Sequence, residues 1–328
     1  MDLLAIEPHK ISRDLSGYIT YIYGEPKIGK TTLAAQADDC LLLAAERGYN
    51  AIPNVIAQDI TSWNEMKQVF RELKKPEVKK RFKVLVVDTI DLMAKYCTKY
   101  ICNNNGIEEL GELSYGRGYA LMRSEFEGVF NALAHMGYAI IFLGHHEVGI
   151  FTRPDGTEYT TIFPALSPAK VRATIENMAD IYGYAHPILD ETGVETRRVL
   201  TLRSVDGTIS CGCRFAGIES EIEFTYPSLV KAVQDAIDKE DQGMVTDAPV
   251  QAPSYDFNEE MNNFNSLVAK IQANVSTEDF AGKWAPTITK ITDSILGRGK
   301  KVGDMKPDQA NLLHAIVQDL ISEVSNGL

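Results

Sequence analysis

YITYIYGEPKIGKTTLAA, residues 18–35, is the stretch from which the rest of the chain is read. Its first six residues, Tyr18 to Tyr23, are β-branched or aromatic and predict a buried strand. The strand runs into Gly24, Glu25, Pro26, Lys27, Ile28, Gly29, Lys30 and Thr31, which fit G-x-x-x-x-G-K-[ST] at every fixed position. Thr31 to Ala37 then have helical character. A glycine-bounded turn between strand and helix aims backbone N–H groups at an anion, and the helix opening adds about half a positive charge. Gly24 and Gly29 are expected to take positive φ so that no Cβ interferes. Lys30 supplies a cation for the β- and γ-phosphates, Thr31 is the expected Mg²⁺ ligand, and Gly24 to Thr32 make up the phosphate cradle. At a glycine usage of about 7%, a chance match in a chain this long is on the order of one in a hundred. The motif implies nucleotide binding.

Working outward, an unbroken apolar run from Cys40 to Ala45 ends in Glu46-Arg47-Gly48, as a strand buried on both faces would. Val84-Leu85-Val86-Val87 ends in Asp88, an acid at a strand's carboxyl end that would hold Mg²⁺ through water beside Thr31. Helical stretches at about 89–104 and 116–136 precede a further buried strand, Tyr138 to Leu143, which closes in Gly144-His145-His146-Glu147. Strands and helices alternate, predicting an α/β fold with a mostly parallel sheet flanked by helices. Ligands gather at the carboxyl ends of such strands, where Glu46, Asp88 and His145 all fall.

Val148 to Pro168 reads as a loop or ribbon, with Pro154-Asp155-Gly156 as its turn. Strands near 180–189 and 197–203 are joined by Asp190-Glu191-Thr192-Gly193. The expected organisation is a nucleotide-binding domain over 1–240, a polar linker over 241–256 and a small C-terminal helical domain over 257–328. In that last part Met261, Phe264, Leu267, Val268 and Ile271 recur at helical spacing, as do Leu312, Leu313, Ile316, Val317, Leu320 and Ile321.

Composition bounds the function. Apolar content of 45% is enough for a real core, and a net charge of −12 disfavours a chain that coats nucleic acid with its whole surface, though not one with a local basic groove. The first residues lack a basic region followed by an apolar block, and no apolar run approaches membrane-spanning length, so no signal peptide and no membrane partner are expected. Five cysteines, an odd count, suit reduced thiols in a cytoplasm. Cys97 with Cys102 and Cys211 with Cys213 depart from metal-binding spacing and read as buried or hairpin residues.

GEPKIGKTT (24–32), LLLAAERGYN (41–50), VLVVDTID (84–91), YGRGY (115–119) and IIFLGHHE (140–147), in this order, resemble the RecA-like phage AAA-family ATPases, the group of small phage nucleotide-binding proteins that includes ATP-dependent single-strand annealing proteins. The resemblance covers roughly residues 15–240 and implies a RecA-like P-loop NTPase core using ATP and Mg²⁺. It implies that Glu46 orients the attacking water and that His145, or its neighbour His146, senses the γ-phosphate where RecA has Gln. The segment from Val148 to Ala169 would be the DNA-binding loop, with Phe151, Tyr159 and Phe163 to stack bases and Arg153, Lys170 and Arg172 to meet phosphates. A surface hairpin packing on a neighbouring subunit is the other reading of that segment.

Such proteins work as rings or filaments, so a homo-oligomer is implied, with Arg203 the first choice over Arg197 and Arg198 for a cation reaching a neighbour's nucleotide. The implied activity is ATP hydrolysis on single-stranded DNA in phage recombination, annealing or replication, in a host-cell cytoplasm and beside phage or host replication and recombination proteins. The alternative is a nucleotide-binding assembly module that recruits a protein through its C-terminal helices without binding DNA.

Overall fold

In the computed structural model, the described residues are 11–13, 15–152, 155–204, 206–240, 245–246 and 255–327. They fall into two compact units, one within residues 9–250 and one from residue 251 onward.

The first unit opens with β1 (Ile11–Ser12), β2 (Ile19–Gly24), α1 (Lys30–Ala34), β3 (Cys40–Ala44), β4 (Ala57–Asp59), α2 (Trp63–Glu72) and α3 (Pro76–Arg81). It continues through β5 (Val84–Asp88), α4 (Ile90–Asn105), α5 (Arg117–Ala134), β6 (Ala139–Thr152), β7 (Glu158–Pro164) and α6 (Ala169–Met178). It closes with β8 (Ile181–Leu189), β9 (Glu195–Thr201), β10 (Gly212–Cys213), β11 (Glu221–Glu223), α7 (Tyr226–Glu240) and β12 (Val245–Thr246), the last pairing with β1.

Neighbouring strands β8-β2-β6-β5-β3-β4 run parallel; β9 and then β11 extend the β8 side in antiparallel fashion. Alternation along each strand sorts the apolar side chains into two layers. Tyr21, Tyr23, Leu85, Val87, Ile140 and Phe142 face one core, shared with Trp63, Met93, Phe126 and Ile175 from α2, α4, α5 and α6. Ile22, Leu42, Val84, Val86, Ile141 and Leu143 face the other, against Leu33 of α1 and Leu229, Val233 and Ile237 of α7. Helices cover both faces, which is why β5 is buried at every position and its sequence shows no polar alternation. The expected mostly parallel α/β sheet is what the chain forms.

Some boundaries differ from the sequence reading. Helix α1 stops at Ala34 rather than Ala37, because Gln36 and Ala37 donate to carbonyls three residues back (3.2 Å each) and tighten the last turn. Strand β4 is short and only partly buried, so it carries too little apolar pattern to be read. Of the two readings of the stretch after β6's buried half, loop or ribbon, the ribbon is what forms: β6 continues to Thr152 and pairs with β7 from His146↔Pro164 to Thr152↔Glu158.

In the second unit, α8 (Phe257–Asn274) is followed by the short α9 (Thr277–Asp279), a π-helical turn over Phe280–Trp284, α10 (Ala285–Leu296) and α11 (Ala310–Gly327). Asp256 and Ser276 cap α8 and α9, accepting from the backbone N–H of Glu259 (2.8 Å) and Asp279 (3.0 Å). Ile271, Trp284 and Leu320 form one apolar cluster, Val302, Leu313 and Ile316 another, and Phe264 packs on both. The α11 stripe is narrower than its sequence suggests: Leu312 and Ile321 are exposed. Of the polar linker, residues 241–244 and 247–254 lie outside the described residues.

Candidate nucleotide site

The loop after β2 departs from the glycine expectation at one end. Gly29 has φ 107° and Lys27 φ 63°, so the left-handed positions are 27 and 29, not 24 and 29. Gly24 instead ends β2 between His145 of β6 and Ala185 of β8, and a Cβ there would sit 2.2 Å from the Ala185 carbonyl oxygen. Close packing across the sheet demands glycine at 24; backbone conformation demands it at 29. Pro26, Lys27 and Thr32 are exposed, Glu25 and Thr31 are half-buried, and Ile28 is buried in the α1-side core.

Lys30 folds back under the loop, donating to the carbonyls of Gly24 (3.0 Å) and Glu25 (2.8 Å). Burial lowers its pKa against the opposing pull of Asp88, Asp91 and Glu46. On the outer side Arg198 of β9, held by Glu195 (2.7 Å), donates to the Ile28 carbonyl (3.2 Å).

Strand register brings the acids to the loop. Ala44 pairs with Asp88, Asp88 with Leu143, and Gly24 with His145, so the ends of β2, β3 and β5 meet the middle of β6 at one edge. Thr31 Oγ1 donates to Asp88 Oδ2 at 2.7 Å. Asp88 is buried and its pKa is raised, mainly by burial and further by Glu46, with Thr31 and Lys30 pulling the other way. Glu46 is tied in through its backbone N–H to the Asp88 carbonyl (3.2 Å), and its side chain accepts from Thr89 Oγ1 at 3.4 Å. A Cβ at Gly48 would lie 3.5 Å from Thr31 Oγ1, so this glycine faces the Thr31–Asp88 pair directly.

His145 stands opposite Glu46, with 3.8 Å between Nε2 and Oε1, and its Nδ1 lies 2.9 Å from Asp91 Oδ2. That bond, opposed by burial and aided by the Asp91 and Glu46 charges, raises the His145 pKa. Burial pushes Asp91 up, but the hydrogen bond and charge of His145 outweigh it and its pKa is lowered. The sequence reading passed over Asp91. The available signal was an acid in the first turn of the helix that follows Asp88. His146 lies next along the strand, its ring against Tyr184 with 5.7 Å between centroids.

The proposed DNA-contacting residues divide. Phe151 sits on the β6–β7 ribbon, 41% exposed, beside Tyr159 (6.0 Å) and Phe163 (5.9 Å). Arg172 lies over the Phe163 ring at 4.4 Å. Arg153 lies outside the described residues. Lys170 lines a different feature, a groove of about 1020 Å³ between α5 and the start of α6, with Tyr115, Tyr119, Arg123 and Asn131. Tyr115 is fully exposed and takes a left-handed φ of 56°. In the sequence these tyrosines belong to YGRGY, residues 115–119, whose spacing alone points to no chemistry.

Arg203 is not at the loop. Strand β9 runs antiparallel to β8, so Arg198 lies near the loop while Arg203 leaves by the opposite edge and donates to the Phe215 carbonyl (2.8 Å). Within one chain, Arg198 is the arginine of the late strands that touches the phosphate loop.

A nucleotide-binding motif, two acids at neighbouring strand ends and a polar residue at a third define a class, and the comparisons agree with it. Residues 16–210 match the family model described as an AAA domain, more than half of the chain, and the chain belongs to that family. It is also similar to the SPbeta prophage-derived uncharacterized protein YorG of Bacillus subtilis (strain 168), 27% identical over 331 residues that cover 98% of each protein. The fold is that of an α/β P-loop NTPase core with a helical C-terminal region, in a family of nucleotide-binding ATPases. Among the described residues no helix is long and apolar enough to cross a membrane.

Proposed function

We propose that the chain is a RecA-like, Mg²⁺-dependent ATPase that acts on single-stranded DNA in phage recombination, annealing or replication. One observation carries the reading. Strand β6 runs without a break from His145, at the nucleotide edge, to Phe151 on an exposed aromatic ribbon. A change at the phosphate end therefore has a rigid path to a surface suited to stacking bases. The groove with Tyr115, Tyr119, Arg123 and Lys170 adds aromatic faces and cations beside the start of α6, which follows the ribbon in sequence. The similarity to a prophage-derived protein supports the phage setting.

In this reading Lys30 neutralises the terminal phosphates of ATP. The Thr31 hydroxyl and Asp88 carboxylate, 2.7 Å apart, are hard oxygen donors that fit Mg²⁺. Bound there, Mg²⁺ would neutralise charge on the β- and γ-phosphate oxygens. Glu46 orients water and accepts its proton, and His145 contacts the γ-phosphate. Rings or filaments, with an arginine reaching the neighbouring subunit's nucleotide, complete the proposal; Arg203 keeps that role only if it reaches across from the opposite sheet edge.

The test is the ATPase rate with and without single-stranded DNA, with binding measured at two salt concentrations. Stimulation is expected, and affinity should fall with salt by about 0.7 log units per phosphate contact for each tenfold rise. Glu46→Gln should keep ATP binding and lose turnover; normal turnover would remove Glu46 from its role. ATP hydrolysis with neither stimulation nor salt-dependent DNA binding would favour an assembly module working through its C-terminal helices.

A further inference from the structure

We propose that Asp91 is the positioning residue for His145: its carboxylate holds both the ring Nδ1–H and the backbone N–H of His145, leaving Nε2 as the atom presented to the nucleotide's terminal phosphate. The inference deepens the ATPase reading and rests on it for the identity of the ligand.

The geometry is bidentate. Asp91 Oδ2 lies 2.9 Å from Nδ1 and Asp91 Oδ1 3.3 Å from the His145 backbone nitrogen. A carboxylate gripping main chain and side chain of the same residue fixes the ring's rotation as well as its position. The carbonyl of His145 is held too, accepting from the backbone N–H of Ala165 at 2.9 Å, just after β7. Only the Nε2 side is uncommitted to such a bond, since 3.8 Å to Glu46 Oε1 exceeds hydrogen-bond length.

Asp91 has a strong reason to keep this contact. It is 6% exposed, and a buried carboxylate without a partner is costly. It sits in the first turn of α4, the helix that follows the Asp88 strand. The same short stretch, Asp88 to Asp91, thus supplies the expected metal-side acid and the residue that aims His145. Whenever the ring is protonated, its Nε2–H, beside Glu46, can donate to a phosphate oxygen without moving the backbone. The raised His145 pKa and the lowered Asp91 pKa both follow from the hydrogen bond between the two side chains.

Nitrogen-15 NMR of the imidazole rings tests this without requiring turnover, with His145→Gln assigning the resonance. In the wild-type chain, Nδ1 of His145 should be protonated and hydrogen-bonded. Asp91→Asn, which preserves shape and removes the charge, should shift the His145 nitrogens toward those of an ordinary exposed histidine. In the same variant kcat should fall about tenfold or more, in the range for a lost orienting partner, while KM for ATP stays within about threefold. A wild-type ring with bare Nδ1, unchanged nitrogen shifts in Asp91→Asn, or changed shifts with full kcat would each overturn the proposal. Should Asp91→Asn fail to fold, the wild-type ring alone still decides it. A wild-type chain that does not hydrolyse ATP would sink the ATPase reading instead, leaving the NMR result to judge the positioning.

Discussion

Strand β6 has two halves with different reasons for existing. Ala139 to Gly144 are buried at every position, whereas His145 to Thr152 range from half-buried to exposed. The inner half has a parallel neighbour on each edge, β2 and β5, and helices over both faces. The outer half pairs with β7, and Val148 and Ile150 stand 60% and 71% exposed. Burial explains the residues of the inner half, and it does not explain apolar side chains facing water along the outer one.

Stability measurements should separate the halves most sharply. Phe142 is fully buried between Phe130 (5.5 Å) and Tyr21 (6.4 Å), both edge-to-face. Phe142→Ala should cost about 3–5 kcal/mol in denaturant unfolding. Ile150→Ala, eight residues along the same strand, should stay within about 0.5 kcal/mol. Equal losses would mean that the ribbon is folded core and not a presented surface.

The next effect belongs to the inner edge. Lys30→Ala should weaken ATP binding by about a hundredfold or more in calorimetry, because the charge-assisted contact to the terminal phosphates is lost. Unfolding should move much less. Retained affinity would mean that the buried cation serves only to hold the carbonyls of Gly24 and Glu25.

The contrast between the halves also explains what the sequence made legible. A covalent spacing such as Gly24 to Thr31 is visible in one dimension, and an unbroken apolar run ending in Asp88 nearly so. Contacts that depend on register are not. The steric demand on Gly24 comes from Ala185, which lies far along the chain, so a packing constraint was read as a torsional one. Arg198 and Arg203 look equivalent on paper, and only the antiparallel direction of β9 puts the first at the loop and the second at the far edge. Asp91 was hidden because an acid in the first turn of a helix is common, and its partner His145 lies on the neighbouring strand, far along the chain. Of the turn signal, Asp155 and Gly156 do lie between the ribbon's two strands, but how far β6 extends depends on pairing with β7 rather than on local preference.

On the outer half the expected effect is smaller and confined to DNA. Phe151→Ala should lower single-stranded DNA affinity by about 1–3 kcal/mol, the usual worth of one stacking aromatic, and leave basal ATP hydrolysis unchanged. A matching loss from Tyr119→Ala would join the α5 groove to the same binding track. If Phe151→Ala changes the oligomeric state while DNA affinity holds, the ribbon is an inter-subunit hairpin.

The smallest effect lies at the junction of the halves, where His145 meets Asp91. Because the folded pKa of His145 is raised, the stability it contributes is fully present below the unfolded value of about 6.5 and is lost as pH rises through the folded value. Asp91 has the opposite sign: its pKa is lowered, so its contribution is present above about 3.9 and is lost as pH falls through the folded value. The pair therefore stabilises most between those limits, and the melting-temperature gap between wild type and His145→Gln should be widest there. As pH rises through the folded value the gap should narrow, leaving the neutral Nδ1–H bond to Asp91. A gap that stayed constant from pH 6 to pH 9 would show that the ring carries no extra proton, and that the junction between core strand and ribbon is held by its neutral hydrogen bonds.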